Sequence, residues 1–198
     1  RTSGRHTQGE SGVLAGGLVE AGTKLGNVYV ADSIGGQSTT FGGWDTHGFN
    51  NTRMYPIVEK RHLPITNQTL PTFLNDLDDR GLLDETLVVW MGEFGRTPKF
   101  GPSSRAKPPG RDHWGPVQTV FFAGGDVRGG TVVGSTDKIG GYPVANTYKP
   151  ENMAATTYEH PGIPQTAAWH DKLDRPPQTS HGEPIVTLKP GACSATSI

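Results

Sequence analysis

The chain is poor in cysteine. Cys193 is its single thiol in 198 residues, so no intramolecular disulfide and no thiolate metal cluster can form. It lacks any apolar run long enough to span a membrane. There is no Cys-x-x-Cys, no His-Glu-x-x-His, no phosphate-cradling Gly-Lys-Ser/Thr loop and no dinucleotide fingerprint. Gly-x-Ser-x-Gly is missing too. Its nearest approach, Gly36-Gln37-Ser38-Thr39-Thr40, has no final glycine. That disfavours a serine hydrolase of the elbow type and leaves Ser38, Thr39 and Thr40 as conceivable nucleophiles. Charge is also scarce: a net −1 argues against a general nucleic-acid binder held by phosphate contacts. Hydrophobic residues make up only 33%, against 28 glycines and 16 prolines, so much of the chain must be loop. That composition suits part of a larger domain, or a domain with long functional loops. The first residue is Arg and no signal peptide is visible, as expected of a processed chain or a piece of a longer one. No internal repeat or low-complexity tract stands out.

What is present is organised around residues 86–98, Thr-Leu-Val-Val-Trp-Met-Gly-Glu-Phe-Gly-Arg-Thr-Pro. Leu87 to Met91 is too short for a helix and does not alternate, which predicts a strand buried on both faces, as in a parallel sheet covered by helices. Glu93, between Gly92 and Gly95, and Arg96 just after them follow at once, where ligands sit beyond the carboxyl ends of strands in open α/β sheets. The fold class expected is therefore α/β, a mostly parallel sheet flanked by helices.

Around this stretch, residues 1–10 are polar and read as a flexible N-terminus. Residues 11–190 read as the domain and 191–198 as a tail. Ser11 is placed to cap a helix with Val13, Leu14, Leu18 and Val19 on one side and Gly22 near its end. Val28 to Val30 reads as a strand. In 50–68, Pro56 and Pro64 would each break or begin a helix. From Thr69, Leu70, Phe73, Leu74 and Leu77 recur at helical spacing until Gly81. Val117 to Ala123 reads as a strand, and Val127 to Val133 as a glycine-rich turn with a short strand. Pro150 suits the first turn of a helix, and Pro184 to Leu188 suits an edge strand.

Three polar clusters carry the chemistry. Asp45 and His47 leave one face of a locally extended turn, and can share a divalent ion; an Asx-turn beside a surface histidine explains them equally well. Glu93 is a ligand or general base, or the ion-pair partner of Arg96. Arg96 and Arg111 suit bidentate grip of phosphate, sulfate or carboxylate. Asp112 and His113 are adjacent, so that one can ligate while the other orients a neighbour, or the pair pins its loop. Trp44, Trp90 and Trp114 read as packing walls. His6, His62, His160, His170 and His181 read as surface or structural, Cys193 as incidental, and Asp137 as a turn residue.

Gly43-Trp44-Asp45-Thr46-His47, the run from Gly81 to Pro98, and Gly110-Arg111-Asp112-His113-Trp114 together resemble the domain-of-unknown-function 1501 proteins. So do Ala123-Gly124-Gly125 with Gly129-Gly130, and Asn152 to Thr156, so that the likeness runs from about Val13 to about Leu188. That family is similar to the alkaline phosphatase and sulfatase superfamily. The resemblance implies an alkaline phosphatase-like α/β/α fold, here incomplete at its N-terminus, and one or two divalent ions (Zn, Mn or Ca). By the same analogy Asp45, His47, Glu93 and His113 are the metal ligands, while Phe94 stands where a histidine ligand would and supplies none. Glu93, Arg96, Arg111 and Asp112 are the implied catalytic groups. The activity implied is hydrolysis of a phosphate or sulfate ester by a metal-activated water. A carboxylic ester or lactone hydrolase, and a non-catalytic remnant that keeps the motifs for folding, are the alternatives. The partner expected is a small anionic or ester substrate, with no nucleic acid and no membrane span. Export through a twin-arginine signal would place the protein in the periplasm or beyond.

Overall fold

The computed structural model describes residues 7–30, 44, 46, 54–101, 110–177 and 179–189. The chain divides into two compact units. One comprises Arg1–Leu83 with Gly92–Thr119, the other Asp84–Met91 with Val120–Ile198.

The first unit is built on helices. Helix α1 spans Thr7–Glu20, so it begins inside the segment expected to be flexible. Gly22 ends it at φ +87°: the Gly22 N–H bonds the Val19 carbonyl and the Thr23 N–H bonds that of Leu18. This left-handed C-terminal cap needs a residue without a Cβ. The long helical run that follows starts with α2 (Met54–Ile57), widens into a π-turn over Val58–His62, and continues as α3 (Leu63–Asp79). The prolines do not break it. Pro64 has no N–H to return to the preceding turn, and there the ladder relaxes by one residue, with the Leu63 N–H bonding the Val58 carbonyl. Gly81, at φ +67°, closes α3 as Gly22 closes α1.

The two helices run parallel, and α1 meets α3 through its smallest residues. Gly9 and Gly16 are buried. A Cβ on Gly12 would lie 3.8 Å from Phe73, and one on Gly16 would lie 3.7 Å from Asp76. Gln8 bonds Thr66 at 3.3 Å, and Arg80 bonds Glu20 at 2.8 Å. The face expected to be the core side is turned outward: Val13 and Leu14 are each 65% exposed. Backbone proximity across a glycine seam has decided the packing over side-chain hydropathy. The expected strand at Val28 to Val30 makes no ladder, and Tyr29 is exposed.

In the second unit, β1 (Val88–Trp90) pairs antiparallel with β4 (Phe121–Ala123), in the register Val88↔Ala123. The strand predicted from Leu87 to Met91 is thus real. Its expected burial on both faces is not: Val88 and Val89 are half-buried and Trp90 is exposed. A hairpin joins β5 (Ser135–Thr136) to β6 (Pro143–Ala145). Asp137 shapes its turn, as expected, by accepting the N–H groups of Ile139 and Gly141 at 3.2 and 2.7 Å. Helix α4 (Pro150–Glu159) starts at a proline, as the sequence predicts. It holds the stretch 179–189 by polar clamps. Asn152 accepts the Lys149 N–H and donates to the Glu183 carbonyl, Thr156 accepts the Ile185 N–H, and Ser180 donates to the Glu151 carbonyl. Ala155, Ile185 and Leu188 form the buried apolar residues here. The edge strand expected over Pro184 to Leu188 is instead a 3-10 turn, Val186–Leu188.

All strand ladders among the described residues are antiparallel and two-stranded. No helix among them is long and apolar enough to cross a membrane.

Candidate functional site

Two of the three polar clusters meet in the first unit. Strand β2 (Gly95–Arg96) pairs antiparallel with β3 (His113–Trp114), setting Arg96 opposite His113 and Gly95 opposite Trp114. Directly opposed residues leave the sheet on one face with their Cβ atoms about 5 Å apart. The pairing is enforced by Gly95. The Val117 carbonyl oxygen fills the space a Cβ on Gly95 would need, and the Trp114 carbonyl lies 3.4 Å from it. Any side chain there would push the two segments apart.

Beyond the ladder Thr97 continues the register. Its N–H bonds the Asp112 carbonyl at 2.9 Å, and its hydroxyl accepts the Asp112 N–H at 3.2 Å. Thr97 therefore locks the Asp112-His113 step. His113 is exposed, and its ring lies 4.0 Å from that of Phe94. Phe94, two residues before Arg96, thus supplies a wall where the superfamily analogy would put a ligand. Arg111 is half-buried. Its Nη2 donates to the Pro98 carbonyl at 3.2 Å, its guanidinium lies 5.6 Å from the Phe100 ring centre, and its buried Nε has no hydrogen-bond partner among the described residues. Glu93 lies exposed at the bend that leads into β2.

The third cluster touches this ladder through its backbone. The Arg96 Nη2 donates to the Trp44 carbonyl at 3.4 Å, and the Thr46 N–H bonds the same oxygen at 2.9 Å. Asp45 and His47, the ligands expected from this cluster, lie outside the described residues. The structure therefore brings together Arg96, His113, Asp112 and the backbone of Trp44, with Arg111 in the adjoining segment.

A divalent cation suits the donor set the sequence offers, two imidazoles and two carboxylates. Of these, Glu93 and His113 are described, both exposed, His113 in β3 and Glu93 two residues before β2. Among the described residues no three His, Cys, Asp or Glu side chains cluster to hold an ion.

Two contributors were not singled out from sequence as site residues. Thr97 was passed over as part of the run after Arg96. His62, read as surface or structural, is 6% exposed and stacks on Trp44 with ring centres 4.8 Å apart. A signal for it did exist. His62, Thr66, Thr69, Phe73 and Leu77 fall at spacings of four, three, four and four, a helical stripe that starts polar and ends apolar.

The sequence matches the family described as Protein of unknown function (DUF1501) over residues 1–188, and the chain belongs to that family. No curated protein and no solved structure matches it.

Proposed function

We propose that the protein is a metal-dependent hydrolase of phosphate or sulfate esters. The observation that carries this reading is the β2–β3 ladder, which sets a guanidinium, Arg96, directly opposite an imidazole, His113. A cation-binding base and an anion-gripping arginine on one face are what an anionic ester requires. Glu93 and His113, with Asp45 and His47, would hold the ion. A divalent ion bound there would supply Lewis-acid polarisation of the ester and acidify a water. Arg96 would grip the non-bridging oxygens of the ester, and its anchoring on the Trp44 carbonyl keeps the guanidinium oriented. Arg111 would offer a second cation from the neighbouring segment, near the Phe100 ring and tied to the Pro98 carbonyl. Asp112, locked by Thr97, would fix the direction from which His113 enters.

The alkaline phosphatase-like α/β fold and a periplasmic or secreted location belong to the same proposal, on the strength of the family motifs. The test is a panel of aryl phosphate, sulfate and carboxylate esters, assayed with and without chelator. Turnover of phosphate or sulfate ester that is lost with chelator and restored by Zn or Mn is expected. Arg96→Ala should then lower kcat by about 100-fold. Chelator-sensitive turnover of the carboxylate ester alone would replace the substrate class. No metal uptake and no turnover would replace the enzyme reading by a non-catalytic one.

A further inference from the structure

We propose that His62 is a positioning residue for Arg96, acting through Trp44. This rests on the anion-gripping role given to Arg96 above. His62 is buried at the last position of the π-turn, Val58–His62. A π-turn inside a helix is rare and is found frequently at functional sites. Its extra residue rotates what precedes it relative to α3, and it leaves His62 at the head of the buried stripe of that helix.

The ring lies nearly parallel to that of Trp44, at 23°. A buried stack of this kind holds the indole and, through it, the Trp44 backbone. The Trp44 carbonyl already accepts the Thr46 N–H, which leaves one lone pair, and the Arg96 guanidinium takes it. The order of action is ring, indole, carbonyl, guanidinium. At 3.4 Å the last bond is long, so a small drift of Trp44 would release it. His62 itself touches no reacting group in this scheme. What matters is a flat ring of the right size, not the imidazole's proton.

The experiment compares His62→Ala, His62→Phe and Arg96→Ala in the full chain, with two readings. One is the affinity for inorganic phosphate by calorimetry. The other is the solvent-exchange rate of the Arg96 side-chain Nε–H by NMR. His62→Ala should weaken phosphate binding about tenfold and speed the exchange of the Arg96 signal. His62→Phe, which restores a stacking ring, should return both to within about twofold of the unsubstituted protein. His62→Ala should add nothing in an Arg96→Ala background. Unchanged phosphate affinity and unchanged Arg96 exchange in His62→Ala would overturn the proposal, as would failure of His62→Phe to restore them. If Arg96→Ala binds phosphate as well as the unsubstituted protein while His62→Ala still frees the Arg96 signal, the positioning stands and the anion-grip reading falls. Should His62→Ala fail to fold, Trp44→Leu removes the same stack from its other side and is judged by the same two readings.

Discussion

The two units solve the same shortage in different ways. Each has little apolar material to bury: among the described residues Leu77 is the one fully buried large side chain, and Ala155, Ile185 and Leu188 serve the second unit. The first unit answers with close backbone approach. Glycines at 12, 16 and 95 let helix meet helix and strand meet carbonyl. The second answers mainly with side-chain clamps, in which Asn152, Thr156 and Ser180 tie α4 to the C-terminal stretch. The site lies on the unit held by backbone contact. A two-residue ladder has almost no side-chain packing of its own, so its geometry is set by what cannot be added at Gly95. The lesson is that a cluster of polar side chains can be positioned by the absence of atoms as firmly as by contacts.

The sharpest way to break this contrast is Gly95→Ala. With the Val117 carbonyl in the way, the substitution should cost about 3 kcal/mol, lowering the melting temperature by roughly 10 °C. Amide exchange should accelerate over 113–117. A melting curve within a degree or two of the original would show that the segments can separate without loss. Gly182→Ala is its counterpart, because the Glu151 backbone occupies the same place there. It shows whether the clamped unit also depends on one close approach.

Asn152→Ala comes next. It removes both the bond to the Lys149 N–H and the bond to the Glu183 carbonyl. A loss of about 2 kcal/mol in urea denaturation is expected, with faster exchange at the N-terminal turn of α4. Thr97→Val should cost less, about 1 kcal/mol: the hydroxyl it removes accepts the Asp112 N–H at 3.2 Å and donates to the Lys99 carbonyl at 3.3 Å, both longer than the Asn152 bonds, and the backbone bond stays in place. Its informative effect is on the site: His113 should lose its fixed entry, visible as broadened imidazole signals.

The smallest effect concerns acidity. Asp171 has its carboxyl held below the usual carboxylate value of 3.8 by the hydrogen bond from the Arg175 side chain, helped by the Arg175 and Leu173 N–H groups. Because the folded value is the lower one, this support for the 171–175 turn is present above 3.8 and fades as the pH falls below it. The pair is largely exposed on the arginine side, so salt should weaken it. Proton titration of Asp171 by NMR, with and without Arg175→Ala, checks the direction: the value should rise when the guanidinium is removed.

Much of this was legible in the residues, and the reasons differ by element. Gly22 and Gly81 announced two helix ends because a left-handed cap admits few alternatives to glycine. Pro150 announced a helix start because its missing N–H costs nothing there. That Gly92–Pro98 and Gly110–Trp114 carry residues of one cluster was expected from the family motifs, and Arg96 and His113 do face each other. The direction of pairing at Val88 was not readable: a short apolar run is equally good for either sense of strand. Pro56 stands in the first turn of α2, where a proline can begin a helix, whereas Pro64 misled because a missing N–H can be absorbed by a π-turn as well as by a break. The burial of His62 was hidden because its neighbours on the stripe are threonines, which hydropathy scores as surface.

Helix α1 offers a warning for anyone altering this protein. Val13, Leu14 and Leu18 carry most of the lipophilic weight of the sequence there but are exposed in the described structure, while its glycines are the seam. Hydrophilic replacements at Val13 or Leu14 should be tolerated by the fold, and a bulky one at Gly12 or Gly16 should pry the helix pair open. A residue-by-residue ranking by oiliness would protect the wrong half of that helix.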